Sequence, residues 1–122
     1  MDILLVDDSK TMRMILQRAI RQAGFRELTV GDAENGAKAL EKLRGEKPRL
    51  VISDWNMPEM SGIHLLRQLR ADENLVPFGF ITSETSKEIR DIALSSGATF
   101  LISKPFTPED VQEALNPILG RS

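Results

Sequence analysis

Polar side chains that could carry out chemistry stand at the ends of four of the five apolar runs in the sequence. Asp7 and Asp8 follow the first run, Asp54 the third, Thr82 the fourth and Lys104 the fifth. Carboxylates bind hard cations and can act as nucleophiles, while a hydroxyl and a lysine can hold phosphate oxygens. Residues of these types in this order predict a metal-assisted phosphoryl-transfer site.

Three carboxylates gathered in one cleft need a cation to offset their mutual repulsion. Two carboxylates about 4 Å apart repel by roughly 4 kcal/mol at an effective dielectric constant of about 20. Mg²⁺ fits such a cluster because it prefers oxygen ligands, whereas Zn²⁺ prefers His or Cys. The chain has one His and no Cys. We therefore predict Mg²⁺ as the cofactor at Asp7, Asp8 and Asp54.

Each of these residues also has a purely structural interpretation. An acidic pair after a strand is often a helix cap, and Asp54 could lie in a turn before Pro58. Lys104, which precedes Pro105, could simply begin a loop. The functional interpretation is favoured because ligands of open parallel sheets bind beyond the carboxyl ends of the strands, where all of these residues are expected.

The apolar runs alternate with segments of helical periodicity along the whole chain. The runs cover residues 3–6, 28–30, 50–52, 78–81 and 100–102. This alternation predicts βαβ units, and hence an α/β fold with a five-stranded parallel sheet and helices on both faces.

Residues typical of helix ends mark the segments between the strands. Gly24 can end the first helix, Asn35 can cap the second, Gly62 opens the third, and a fourth is predicted over about residues 86–95. Thr107 followed by a proline begins the fifth helix, which Pro117 should bend or end. We therefore predict five helices.

The composition predicts a single cytoplasmic domain over residues 1–122. Its 41% of hydrophobic residues can form one core without disulfides. The sequence shows neither a secretory signal nor a run of about 18 apolar residues. A formal net charge of −2 gives neither nucleic acid nor an anionic membrane a strong attraction, so we expect protein partners.

Several segments match a known signalling family and together span the whole chain. They are Val6-Asp7-Asp8-Ser9, Ser53-Asp54-Trp55-Asn56-Met57-Pro58, Gly62, Ile81-Thr82-Ser83 and Lys104-Pro105-Phe106. The chain thus resembles the receiver domains of two-component response regulators, and in particular the stand-alone members that act in chemotaxis. The resemblance implies a doubly wound, flavodoxin-like sheet in the order 2-1-3-4-5, and a single receiver domain without an output domain.

The resemblance implies that Asp54 is phosphorylated by a histidine kinase or by a small phosphodonor. Asp8 and Asp54 would bind Mg²⁺ through their side chains and Asn56 through its main-chain carbonyl, whereas Asp7 would act through metal-bound water. Such a protein is a signalling phospho-acceptor that assists its own phosphorylation and dephosphorylation, and not an enzyme with a separate substrate. A downstream target protein and a phosphatase are the further partners implied.

Other family roles fall on the ends of the fourth and fifth strands. Lys104 would contact the phosphoryl oxygens, and Thr82 would turn its hydroxyl towards them on activation. Ser83 is small enough to leave the entrance to the site open. The bond between Lys104 and Pro105 is expected to be cis, as is common in the family.

The sequence departs from the family pattern at Leu101. Receivers commonly have Tyr or Phe three residues before the lysine, and this ring moves inward when the threonine shifts. Phe100 is adjacent, but side chains alternate along a strand, so we expect it on the opposite face of the sheet. The usual aromatic link between phosphorylation and the surface of the last helices is therefore absent.

Three other functions remain open. A receiver-like chain could bind partners without phosphorylation, although every acidic and basic position of the site is filled. An aspartyl-nucleophile phosphohydrolase would use similar chemistry but would need a lid or second domain to enclose its substrate. A flavodoxin-like cofactor binder is disfavoured because Asp7 and Asp8 would repel phosphate.

Overall fold

Strands and helices alternate along the chain, five of each within residues 1–120, which are the residues that the computed structural model describes. The strands are β1 (Ile3–Val6), β2 (Val30–Ala33), β3 (Leu50–Asp54), β4 (Phe78–Thr82) and β5 (Phe100–Ser103). The helices are α1 (Lys10–Gln22), α2 (Gly36–Gly45), α3 (Gly62–Ala71), α4 (Lys87–Ser95) and α5 (Pro108–Leu119).

All strand pairs are parallel, and the sheet has the order β2-β1-β3-β4-β5 that the family resemblance implies. The fold prediction is therefore confirmed. Strand order reverses between β1 and β3, and a crevice opens at such a point beyond the carboxyl ends of the strands. The sheet thus brings the ends of β1, β3, β4 and β5 to one edge.

The sheet separates two layers of apolar side chains. One layer packs β1, β3 and β4 against α2, α3 and α4, and the other packs the same sheet against α1 and α5. Along β1, Leu4 and Val6 enter the first layer while Ile3 and Leu5 enter the second. Full burial of such a side chain contributes about 1.5–3 kcal/mol, so the central strands form a stiff support for the site.

The second strand begins two residues later and ends three residues later than predicted. The apolar run at 28–30 predicted it, but β2 runs from Val30 to Ala33 and pairs Val30 with Ile3. Just before the strands begin, the Asp2 amide instead donates to the main-chain carbonyl of Thr29, and the amide and hydroxyl of Thr29 donate to Oδ2 of Asp2. Because β2 is an edge strand with a polar exposed side, its sequence lacks the continuous apolar run of a central strand.

The helices are short, between 9 and 13 residues, and hydroxyl or amide side chains cap their amino ends. Asn35 caps α2, and Ser86 caps α4 one residue before its first turn. Thr107 and Asp110 form a reciprocal capping box at α5, and this helix ends at Leu119, two residues beyond Pro117. Within residues 1–120 no helix combines the length and apolar character needed to cross a membrane.

Candidate functional site

The three predicted acidic residues meet at one edge of the sheet. Asp7 directly follows β1, and Asp54 is the last residue of β3. Asp7, Asp8 and Asp54 each place one carboxylate oxygen within 4.8 Å of the others. Asp7 and Asp54 are buried while Asp8 is exposed, so the cluster is open to solvent on one side. Three such oxygens, without nitrogen or sulfur donors, fit Mg²⁺.

Lys104 reaches the same cluster from the end of β5. Its Nζ donates to Oδ1 of Asp54 at 3.1 Å, and both side chains are largely shielded from solvent. The Lys104 amide donates to the main-chain carbonyl of Thr82 at 2.8 Å, so the lysine backbone is held by β4. The bond to Pro105 is cis, as predicted. The predicted lysine and acidic residues therefore form one site.

Several neighbours shift the pKa of the Asp7 carboxyl in opposite directions. Burial raises its pKa above the ordinary value of 3.8, and the Ser9 amide, which donates to Oδ1 at 2.8 Å, partly offsets this rise. The nearby charge of Asp54 raises the pKa further, whereas Lys104 lowers it. Without a cation, ionisation of the Asp7 carboxyl therefore costs more free energy in the folded chain than in water.

This raised pKa makes stability depend on pH in the absence of Mg²⁺. The folded chain keeps the Asp7 proton to higher pH than the unfolded chain, so its stabilising contribution is fully present below pH 3.8. The contribution is lost as the pH rises through the raised pKa. The amide oxygen of Asp7→Asn can still accept from Ser9 and carries no charge.

We therefore expect Asp7→Asn to be more stable than the native chain near neutral pH, with an advantage that fades on acidification. Urea unfolding in EDTA, measured from about pH 3.5 to 7, checks this. A difference between the two chains that is constant across this range would contradict the assignment.

A tight loop after β3 fixes the backbone of Asp54. The Gly62 amide donates to the main-chain carbonyl of Trp55 at 2.9 Å, and a Cβ on Gly62 would lie 2.2 Å from the carbonyl oxygen of Asp54. The Trp55 ring is buried and meets Phe80 edge to face, with 4.7 Å between the ring centroids. The start of α3 therefore packs directly against the strand end that carries Asp54.

The remaining predicted residues surround the cluster. Thr82 is fully buried at the end of β4, and its hydroxyl accepts a hydrogen bond from the Glu84 amide at 3.0 Å. Ser83, Asn56 and Pro105 are exposed. Within residues 1–120, no hydrogen bond or ion pair joins the side chains of Ser83 or Asn56 to the acidic cluster. Their placement at the rim is compatible with the predicted roles.

The structure also places Arg13 at the site, which the sequence interpretation missed. Its Nη1 donates to the main-chain carbonyl of Asp7 at 2.6 Å. A basic residue one helical turn after the cap Ser9, close to an acidic pair, was the available signal. That spacing alone does not distinguish a side chain folded back over the loop from one directed into solvent.

Leu101 and Phe100 lie on opposite faces of β5, as strand alternation predicted. Leu101 packs with the layer that contains α4, and Phe100 packs with the layer that contains α5. Phe100 therefore does not occupy the place of the aromatic residue that the family commonly has at position 101.

Comparisons with known proteins agree with this arrangement. Residues 3–116 match the family described as response regulator receiver domain. Chemotaxis protein CheY1 of Helicobacter pylori is 40% identical over 123 residues, covering 98% of each chain. The chemotaxis protein CheY homolog of Campylobacter jejuni is 37% identical, covering 98% of this chain and 93% of that protein.

A solved structure shows the same fold over nearly its whole length. The chemotaxis protein CheY4 of Vibrio cholerae is 33% identical and aligns with a TM-score of 0.84 over 96% of this chain and 97% of that chain. Five parallel strands in the order 2-1-3-4-5 with five helices are the architecture of this fold. The chain therefore belongs to the response regulator receiver domain family, as a CheY-like member of two-component signalling.

Proposed function

We propose that the chain is a phosphorylation switch in which Asp54 accepts a phosphoryl group in the presence of Mg²⁺. The observation that carries this proposal is the contact of 3.1 Å between Lys104 Nζ and the Asp54 carboxylate, beside two further carboxylates. Asp54 gains negative charge when it is phosphorylated and loses that charge when it is dephosphorylated. The lysine beside it, and a cation held by the neighbouring carboxylates, can compensate both changes. Family membership supports the same interpretation.

In the proposed reaction, a carboxylate oxygen of Asp54 attacks phosphorus in a phosphohistidine of a kinase or in a small acyl phosphate. A new O–P bond forms while the P–N or P–O bond of the donor breaks, and the donor keeps the electron pair. The product is an aspartyl phosphate. Attack of water on phosphorus later regenerates the carboxylate and releases inorganic phosphate.

Asp8, Asp54 and the main-chain carbonyl of Asn56 would hold Mg²⁺, and Asp7 would act through a metal-bound water. The bound cation supplies positive charge to phosphoryl oxygens and offsets repulsion among the carboxylates. Lys104 stabilises the oxygens from the other side, since its Nζ already lies at Asp54. Exposed residues at the rim, including Ser83, leave the approach to Asp54 open.

Phosphorylation would change a protein-binding surface through the ends of β4 and β5. The added oxygens attract the Thr82 hydroxyl, which accepts from the Glu84 amide and has its own proton to donate, and they shift Lys104 away from the carboxylate. A groove of about 360 Å³ between α4, β5 and α5 includes Leu94 and Leu101 in its lining, and we propose it as the surface that a partner contacts. Leu101 would transmit the shift by aliphatic packing.

The similarity to chemotaxis proteins supports a place in a chemotaxis-type pathway, with a histidine kinase, a target protein and a phosphatase as partners. We further propose that residues 1–122 act as one cytoplasmic receiver domain. A degenerate receiver is the second candidate, and filled acidic and basic positions argue against it. A phosphohydrolase is disfavoured because no lid encloses the site within residues 1–120.

The fluorescence of the sole tryptophan, Trp55, tests this function because it directly follows Asp54 and packs in the same loop. Mg²⁺ is added first and acetyl phosphate second, with Asp54→Asn as the matched variant. We expect a saturable fluorescence response to Mg²⁺, then a change that requires the donor and reverses as the donor is consumed. Asp54→Asn should show no donor-dependent change. If the fluorescence of the native chain changes neither with Mg²⁺ nor with acetyl phosphate, a module that binds partners without phosphorylation is favoured.

A further inference from the structure

The guanidinium of Arg13 lies against the loop that carries Asp7 and Asp8. Arg13 belongs to α1, and its Nη1 donates to the main-chain carbonyl oxygen of Asp7 at 2.6 Å. Its Nε donates to Oδ2 of Asp32 in β2 at 2.8 Å. Only 14% of the Arg13 side chain is exposed, and its contact with the Asp7 carbonyl is partly buried, whereas Asp32 is half-exposed. They join helix, loop and edge strand at one point.

The carbonyl that Arg13 binds belongs to the peptide unit between Asp7 and Asp8. A peptide unit is planar and nearly rigid, so fixing its oxygen also fixes the direction in which the chain enters Asp8. The Ser9 amide holds the other side of the loop through Oδ1 of Asp7. The carboxylate of Asp8 is exposed and makes no hydrogen bond within residues 1–120, so only the backbone directs it.

We propose that Arg13 is a positioning residue for the cation site. Arg13 binds the Asp7 carbonyl and pairs with Asp32, and it thereby holds the peptide unit between Asp7 and Asp8. The Asp8 carboxylate then faces the carboxylates of Asp7 and Asp54. The inference rests on the proposed function, since it takes the acidic cluster as the site of Mg²⁺. Outer contacts that orient metal ligands commonly change metal affinity about 10- to 100-fold when they are removed.

A simple charge effect would have the opposite sign. Arg13 is positively charged and lies beside a site for a divalent cation, so its charge alone disfavours Mg²⁺. Removing the charge without any loss of positioning should therefore strengthen Mg²⁺ binding. If Arg13 positions the loop, its removal should weaken binding despite the lost repulsion. The direction of the change separates the two explanations.

The test measures Mg²⁺ dissociation constants by Trp55 fluorescence in the native chain, Arg13→Ala and Arg18→Ala. Arg18 lies on the same helix, is exposed and forms no ion pair within residues 1–120, so its variant reports the loss of one exposed arginine from α1 without loss of the Asp7 contact. We expect Arg13→Ala to weaken Mg²⁺ binding about tenfold. We expect Arg18→Ala to change the dissociation constant less than twofold, since salt screens exposed charges.

Two further measurements exclude a merely structural role. Urea unfolding in EDTA must show that the variants are folded where Mg²⁺ is titrated, because a stability change alone leaves the dissociation constant of the folded chain unaltered. Asp32→Asn keeps Arg13 but removes its half-exposed partner, and about a twofold weakening is expected. The lost negative charge acts in the same direction, so for this variant only unchanged or tighter binding decides the question.

The possible outcomes are distinct. Unchanged or tighter Mg²⁺ binding by folded Arg13→Ala, or by folded Asp32→Asn if Arg13→Ala does not fold, overturns this inference and leaves the proposed function intact. A native chain that shows no saturable Mg²⁺ response contradicts both.

Discussion

Replacing Lys104 with methionine is expected to slow phosphoryl acceptance by Asp54 about 100- to 1000-fold. A preorganised cation or donor aimed at developing negative charge contributes about this much to rate. The contact of 3.1 Å with Asp54 and the low exposure of both side chains place Lys104 where such charge develops. The rate is measured as the growth of the phosphoryl adduct in intact mass spectra, with acetyl phosphate and saturating Mg²⁺.

The same substitution should strengthen Mg²⁺ binding, which separates lost catalysis from general damage. Lys104 competes for the Asp54 carboxylate, and loss of a partly exposed ion pair is worth about 1 kcal/mol, or roughly fivefold in affinity. Lys38→Met is the matched control, because Lys38 is exposed and pairs with Glu34 one helical turn away. Acceptance by Lys104→Met within threefold of the native rate would show that the lysine does not act on the phosphoryl group.

Gly62→Ala is expected to lower the free energy of unfolding by about 3 kcal/mol. The new Cβ would lie 2.2 Å from the carbonyl oxygen of Asp54 and 2.9 Å from the ring of Phe80, which is fully buried. Neither neighbour is free to move, because one is the backbone of β3 and the other lies in the core. Overpacking of this kind costs about 1–3 kcal/mol, with backbone contacts at the upper end.

Urea unfolding of Gly62→Ala, with Gly45→Ala beside it, measures this effect. A Cβ on Gly45 meets no atom within 4 Å, and Gly45 ends α2, so that variant should be unchanged or up to about 1 kcal/mol more stable. The displaced strand end should also weaken Mg²⁺ binding in Gly62→Ala. Equal stability of the two variants would mean that Gly62 does not lie as close to the Asp54 carbonyl as the structure shows.

The parts of the fold that sequence predicts well are those where one physical signal dominates. Central strands are buried on both faces, so their sequences are continuous apolar runs. The predicted ends of β1, β3 and β4 accordingly lie within two residues of the observed ends. The edge strand β2 has Gly31 and Asp32 in its middle, so its apolar signal fell on the preceding residues. Its register depends on the pairing of Asp2 with Thr29, which no local pattern reveals.

The candidate site could be predicted as far as main-chain topology determines it. Asp7, Asp54 and Lys104 are placed by strand ends, and parallel strands bring those ends to one edge. Arg13 was missed because a long side chain can reach several directions from a helix. The left-handed backbone of Glu59, with φ of 67°, was also not predicted, since Gly and Asn are the usual residues for that conformation.

The most direct test of the central claim locates the phosphoryl group chemically. The native chain is incubated with acetyl phosphate and Mg²⁺, reduced with borohydride, which converts an acyl phosphate to an alcohol, and digested with trypsin. The peptide covering residues 50–67 contains Asp54 as its only aspartate. We expect homoserine at position 54 only when donor and Mg²⁺ are both present. An unreduced Asp54, or reduction at Asp7 or Asp8 instead, would contradict it.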